Sequence, residues 1–185
     1  MTLTLLFALI FLHPVAFQSP EEFARADAAT RRLPPSAIPG IPAQVRRTLE
    51  RRRCTIPQWY GDDTPHNAAR GAFTGPNRIE WAVLCSRART SSILVVTERS
   101  GTIIADFASR RDISFLQKAG PWGIIFSRWI GQATPENVRT LLTHEENRQV
   151  RVSVEHDGIH DAFVDKYSVV WYWDGKRWLR IQGSD

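Results

Sequence analysis

The sequence predicts an α+β fold: a single domain built on an antiparallel β-sheet of six to eight strands with two or three helices. Apolar runs rich in β-branched residues (79–86, 92–97 and 168–173) alternate with clusters of turn-forming residues, the pattern of sequential strands. Asp174-Gly175 lies between two such runs and is the strongest short hairpin signal in the chain. Helical spacing of apolar residues is confined to a few short stretches, so the helices decorate the sheet.

Residues 3–12 are nearly unbroken hydrocarbon and end at His13-Pro14. Such a run is too short to span a bilayer and matches the apolar core of a secretory signal. Residues 1–19 are therefore read as a signal peptide, with cleavage after Ala16 or Ser19; an ordinary buried N-terminal helix is the alternative. Export places the chain in the periplasm or outside the cell, with no membrane span in the mature product. Residues 20–40 are rich in Ala, Arg and Pro with little apolar periodicity, which reads as a flexible tether carrying a frayed helix over 21–29. The ordered domain is expected over residues 41–185.

Within it, Ile41, Val45 and Leu49 recur at helical spacing and Pro42 suits a helix start, predicting a helix to about residue 53. Hairpins follow over 68–73 with 79–86, and over 92–97 with 102–107. Residues 112–118 suggest a short helix, 120–123 a break and 124–129 a strand. Thr134-Pro135-Glu136 opens another helix with an N-cap, a first-turn proline and an acid facing the helix dipole. Val150, Val152 and Val154 alternate as in a half-buried strand, and 168–173 pairs with 176–181 across Asp174-Gly175.

The formal charge is +5, supplied almost wholly by arginine. A basic surface suits nucleic acid, anionic lipid or an acidic polymer, and export argues against nucleic acid. The partners left are an anionic or glycan component of the cell envelope, or another exported protein. Cys54 and Cys85 are the only cysteines, and an isolated pair in an oxidising compartment is expected to form a disulfide.

Three constellations are candidates for function. Glu155, Asp157 and Asp161, with Gly158 permitting a sharp turn, offer the oxygen ligands of a calcium site; a tight turn in which the aspartates accept backbone amides is the competing reading. His156 and His160 in the same segment raise zinc, with His66 or His144 as a third ligand, although Gly158 disfavours the helix that would align them. Trp171, Tyr172 and Trp173 lie on one strand, so Trp171 and Trp173 share a face and Tyr172 takes the other. They are candidates for stacking on a ligand, or else for core packing. Finally, Arg46, Arg47, Arg51, Arg52 and Arg53 surround a narrow apolar stripe and suggest anionic docking, or a solvated face with Glu50 as counterion. Asp62-Asp63 reads as a turn. No Gly-x-Ser-x-Gly elbow or phosphate-cradling loop is present in the sequence.

Pro65-His66-Asn67, Gly71-Ala72-Phe73, Trp81–Ser86, Ser91–Val95, His156–Phe163 and Val169–Trp173 together resemble a group of uncharacterised exported bacterial proteins. The resemblance covers residues 41–185 and implies compartment and domain extent, without an activity. Gly71-Ala72-Phe73-Thr74-Gly75 and the 154–161 segment also resemble the hairpin loops of FG-GAP and VCBS β-propeller repeats, which carry an aspartate-rich calcium site. The first lacks aspartates at Ala72, Thr74 and Pro76; the second keeps more of the pattern. The likeness is to a hairpin and not to a whole propeller. The expectation is thus an exported, non-catalytic binding module with calcium as candidate cofactor; the alternative is a small secreted hydrolase with its site around 155–161.

Overall fold

Two apolar runs without polar alternation, 82–85 and 93–96, require cover on both faces, and the architecture supplies it. The structure, a computed structural model, describes residues 20–61 and 63–183. The expected signal peptide (1–19) and Asp62 of the Asp62-Asp63 turn lie outside the described residues. The chain begins with α1 (Pro20–Ala29), β1 (Arg32–Leu33), α2 (Ala43–Arg51) and β2 (Ile56–Pro57). A first meander follows: β3 (Ala68–Gly71), β4 (Glu80–Arg87), β5 (Thr90–Thr97) and β6 (Ile103–Arg111), antiparallel in that order. A small hairpin, β7 (Leu116–Lys118) with β8 (Ile124–Phe126), leads to β9 (Arg128–Ala133) and α3 (Pro135–Leu142). A second meander is closed by β10 (Gly158–Phe163), β11 (Tyr167–Trp173) and β12 (Trp178–Gln182), in the order β12-β11-β10-β9.

Burial divides these elements into layers. Val45 and Leu49 of α2, with Cys54 and Ile56, cover the face of the first sheet that presents Trp81, Val83, Cys85, Leu94 and Val96. The opposite face, with Ala82, Leu84, Ile93 and Val95, packs toward Ile130 and Ile159 of the second sheet. Phe115, Leu116 and Phe126 fill the same central core, and Phe23 and Ala26 of α1 pack against it. The outer face of the second sheet (Val170, Tyr172, Ile181) is covered by Val138 of α3 and by Val154. The result is helix, sheet, sheet, helix. Cys54 and Cys85 form a disulfide with Cα atoms 5.0 Å apart, which ties the end of α2 to the middle of the first sheet.

The fold is mostly β with some helix, as expected, but its counts differ. Among the described residues there are three α-helices and twelve strands in four antiparallel sheets. Two four-stranded meanders stack face to face where a single sheet of six to eight strands was expected. Residues 20–40 also differ from a flexible tether. They form α1, β1 and a 3-10 turn, because Arg32 is clamped between two buried carboxylates, Asp27 at 2.7 Å and Asp112 at 2.9 Å. The expected helix over 112–118 is a 3-10 turn followed by β7, and the strand over 124–129 breaks at Ser127 into β8 and β9.

Val150, Val152 and Val154 do face the core, yet their segment joins no sheet. Side chains stand in for a partner strand: the Tyr172 hydroxyl donates to Ser153 O and accepts from Glu155 N, and Arg139 donates to Val154 O. The cap of α3 is as expected, with Thr134 accepting from Asn137 N and Asn137 reaching back to Thr134 N. No helix among the described residues is long and apolar enough to cross a membrane.

Candidate functional site

The three carboxylates expected to share a calcium ion do not converge. Gly158–Phe163 is an interior strand, paired with β9 on one side and β11 on the other, so Asp161 is fixed by the sheet between the two stacked meanders. Asp157 lies just before that strand, where its Oδ2 accepts Ala72 N at 2.8 Å and its own amide donates to Ala72 O. Glu155 is exposed, with Ser153 Oγ at 3.3 Å. Among the described residues no group of three His, Cys, Asp or Glu side chains is placed to hold a metal. Pairing in β10 holds Asp161 within the sheet, while Asp157 and Glu155 precede the strand.

The histidines are divided in the same way. His156 is buried, its ring nitrogens 3.0 and 3.1 Å from the carbonyls of Asp157 and Trp173, and its ring stacks on Tyr172 at 4.4 Å. His160 points to the other face of β10 from Asp161 and meets the Trp129 ring edge-on at 5.3 Å. Burial holds the His160 pKa below its ordinary value, partly offset by the charge of Asp161. His66 is engaged elsewhere, accepting from Trp59 N.

Of the aromatic trio, Tyr172 is 1% exposed and packs in the outer core, so it presents nothing to a ligand. Trp171 and Trp173 share the inner face, as strand geometry requires. Trp171 packs edge-on against Phe107 and donates from Nε1 to Asp161 Oδ2 at 3.1 Å. Trp173 leans on Trp178. The arginines of α2 are largely solvated; Arg46 approaches Glu50 at 3.9 Å and Arg51 bonds Thr48 Oγ1.

Trp171 and Asp161 instead belong to a cleft between the sheets, and its geometry begins with a fault in β6. Ile93 pairs with Phe107 and Ser91 with Arg110, so Ala108 and Ser109 together oppose Ser92. The extra residue makes a bulge, and Ala108 takes φ 54°, a conformation that a residue with a Cβ seldom adopts. The bulge turns the Ala108 carbonyl inward, where Arg128 Nη2 donates to it at 3.2 Å. Arg128 is 1% exposed and grips Asp161 in two parallel bonds of 2.9 Å, Nε to Oδ1 and Nη2 to Oδ2. Nη1 reaches Ser91, and the guanidinium carbon lies 4.5 Å from the Phe115 ring centre.

Asn67 fixes the backbone from which Arg128 projects. Its amide donates to Arg128 O and Pro57 O and accepts from Ile130 N at 2.8 Å, joining β9 to the first sheet. Its φ of 67° is a value Asn tolerates better than most residues.

Above this neutralised pair opens a cleft of about 460 Å3, within the size range of small-ligand sites. Its walls are the rings of Phe115, Phe163, Tyr167 and Trp171, and its rim carries Arg110 and Arg180. Both rim arginines are exposed, and neither has an ion-pair partner among the described residues. Chemically the cleft offers two cations unpaired among the described residues over an aromatic wall, on a floor formed by a buried ion pair.

Sequence reasoning missed Arg110, Arg128, Arg180 and Asn67. One signal was available: Phe126, Arg128 and Ile130 sit at alternate positions, which puts a cation on an apolar face where it needs an acidic partner. No family model matches the chain, and neither the curated proteins nor the solved structures contain a match.

Proposed function

We propose that this chain is an exported, non-catalytic binding module that takes a carboxylated glycan of the cell envelope into the cleft beneath Arg110 and Arg180. The observation that carries the reading is the pair of exposed, unpartnered arginines over an aromatic wall. A uronic acid residue has a carboxylate for the guanidinium groups, which bind it with two parallel hydrogen bonds, and a C–H face for Trp171 or Tyr167. The buried pair beneath adds no net charge, so the rim sets the sign of the potential. Export is supported by the apolar run at residues 3–12 and by the Cys54–Cys85 disulfide. No specific observation favours the hydrolase alternative on Asp157, Asp161, His156 or His160: the first three are held by hydrogen bonds within the fold, and His160 lies on the opposite face of β10 from Asp161, against Trp129.

Calorimetric titration with oligogalacturonate, and with the neutral oligogalactoside as control, tests the reading. Binding of the acidic sugar should exceed that of the neutral one and weaken as salt rises from about 0.05 to 0.5 M. In Arg110→Gln/Arg180→Gln the advantage of the acidic sugar should disappear. An undiminished advantage in that variant overturns the assignment.

A further inference from the structure

We propose a second ligand site, for an uncharged pyranose sugar, in the pocket between α1, residues 58–61 with Asp63, and β8, with Trp122 and Tyr60 as its stacking surface. The inference stands independently of the arginine-rimmed cleft. Of the seven tryptophans, six are buried or half-buried; Trp122 is 62% exposed. Tyr60 is 51% exposed, and its ring centre lies 5.2 Å from that of Trp122 at a tilt of 49°. Leaving two large rings in water forgoes the burial that stabilises every other aromatic cluster of this fold.

The exposure is built into the backbone. Trp122 rides on a 3-10 turn (Gly120–Trp122) between two glycines at φ 53° and 74°. A Cβ on either glycine would meet nothing within 4 Å, so packing does not require glycine there; the left-handed backbone does. Ala119 N donates to Gly123 O and Trp122 N to Ala119 O, which closes the turn on itself. On the facing loop, the Trp59 ring packs against Gly61, where a Cβ would come within 2.1 Å of it. Both walls are thus held before any ligand arrives.

The remaining lining selects the ligand class. The floor is apolar, with Ala26, Ile124 and Phe126. Among the described residues the rim has one cation and one anion, Arg31 and Asp63, with a long 3.5 Å bond from the guanidinium to the Asp63 backbone carbonyl between them. The Asp63 carboxylate has no ion-pair partner among the described residues. A pyranose presents an apolar C–H face to a ring and a belt of hydroxyls that need donors and acceptors together. Arg31 supplies the first and Asp63 the second. Opposite charges at the rim disfavour a ligand with net charge, and an acyl chain has no use for them. The pocket measures about 560 Å3, in the usual range for small ligands.

The probes are cellohexaose, chitohexaose and maltohexaose, titrated by calorimetry and by tryptophan fluorescence into the purified protein and into Trp122→Ala, Tyr60→Ala and Arg110→Gln/Arg180→Gln. At least one hexaose should saturate and quench or shift the fluorescence. Trp122→Ala should raise its Kd roughly tenfold or more, as loss of a stacking anchor does. Arg110→Gln/Arg180→Gln should leave that Kd unchanged, which separates this site from the cleft. Because Trp122 is exposed, its variant should keep the wild-type unfolding midpoint, so lost binding is not lost folding. Absence of binding by all three hexaoses, or binding that survives Trp122→Ala, overturns the proposal. Binding of a proline-rich peptide in their place overturns it in favour of peptide recognition.

Discussion

Replacing Arg128 by Met should be among the most damaging single changes in the chain, and the structure says by how much. Arg128 is 1% exposed and provides both bonds that grip the Asp161 carboxylate, as well as donors for Ala108 O and Ser91. In the variant Asp161 keeps only the Trp171 Nε1 hydrogen bond, so a carboxylate stays buried without its counterion. Breaking a buried pair from one side costs about 3–5 kcal/mol. For a domain of this size each kcal/mol moves the midpoint by about 2–4 °C, so the expected loss is about 6–20 °C. Arg128→Met/Asp161→Leu removes both charges together, and apolar replacement of a buried pair is often close to neutral. The double variant should therefore recover at least half of the single variant's loss, although Ala108 O and Trp171 Nε1 lose partners. Urea unfolding of the wild type, both single variants and the double variant completes the cycle. A cost below about 1 kcal/mol for Arg128→Met, or strictly additive effects, would refute the account of the pair as the rigid floor of the cleft.

Two further outcomes concern the disulfide and His160. Cys54→Ser/Cys85→Ala opens a loop of sequence separation 31, for which the chain-entropy relation gives about 3.7 kcal/mol at 25 °C; equilibrium unfolding without reductant should show a loss of that order. His160 has its pKa lowered by burial from an ordinary 6.5, with the nearby Asp161 charge acting in the opposite direction. The unfolded chain then binds the proton more tightly than the folded one, so this stability is complete above about pH 6.5 and declines as pH falls toward the lowered value. His160→Gln should flatten that part of the stability-against-pH curve, and an unchanged slope would rule out His160 as its source.

Local signals carried the strands whose neighbours in space are also neighbours in sequence. Asp174-Gly175 fixes the β11–β12 hairpin, and the apolar runs at 82–85 and 93–96 fix β4 and β5, because in each the chemistry that forms the turn or the core lies within the segment. The elements that were misread depend on distant partners. Gly158–Phe163 contains Gly, His and Asp, which locally favour a loop; it is a strand because β9 and β11 complete its hydrogen bonds and Arg128 neutralises Asp161. Residues 150–154 have the alternation of a strand but obtain their hydrogen bonds from the Tyr172 and Arg139 side chains. α1 is held by Asp27, Arg32 and Asp112, and Asp112 is 80 residues from the arginine it pairs with. The cleft was half legible: Trp171 and Asp161 stood out as residue types, while Arg110 and Arg180 are ordinary surface arginines until the β6 bulge and the second sheet bring them to one rim.

The bulge also explains why a cleft exists at this point of the sandwich at all. Two sheets with apolar inner faces close on one another wherever their side chains interdigitate, as Ile93 and Val95 do with Ile130 and Ile159 in the central core. A guanidinium and a carboxylate placed in that seam cannot be left to partial contact with water and partial contact with hydrocarbon. They need a full set of hydrogen bonds, and a regular β6 offers none to the seam, because its carbonyls lie in the plane of the sheet, paired with β5 or directed past the free edge. The unpaired residue of the bulge frees the Ala108 carbonyl for Arg128, at the expense of a left-handed alanine and a local gap between the sheets. The left-handed Ala108 thus supplies the acceptor that completes the hydrogen bonds of a pair formed within the second sheet. A variant that restored regular pairing in β6 would remove the Ala108 acceptor from Arg128, so the strain at Ala108 belongs to the site and not to an imperfection of the sheet.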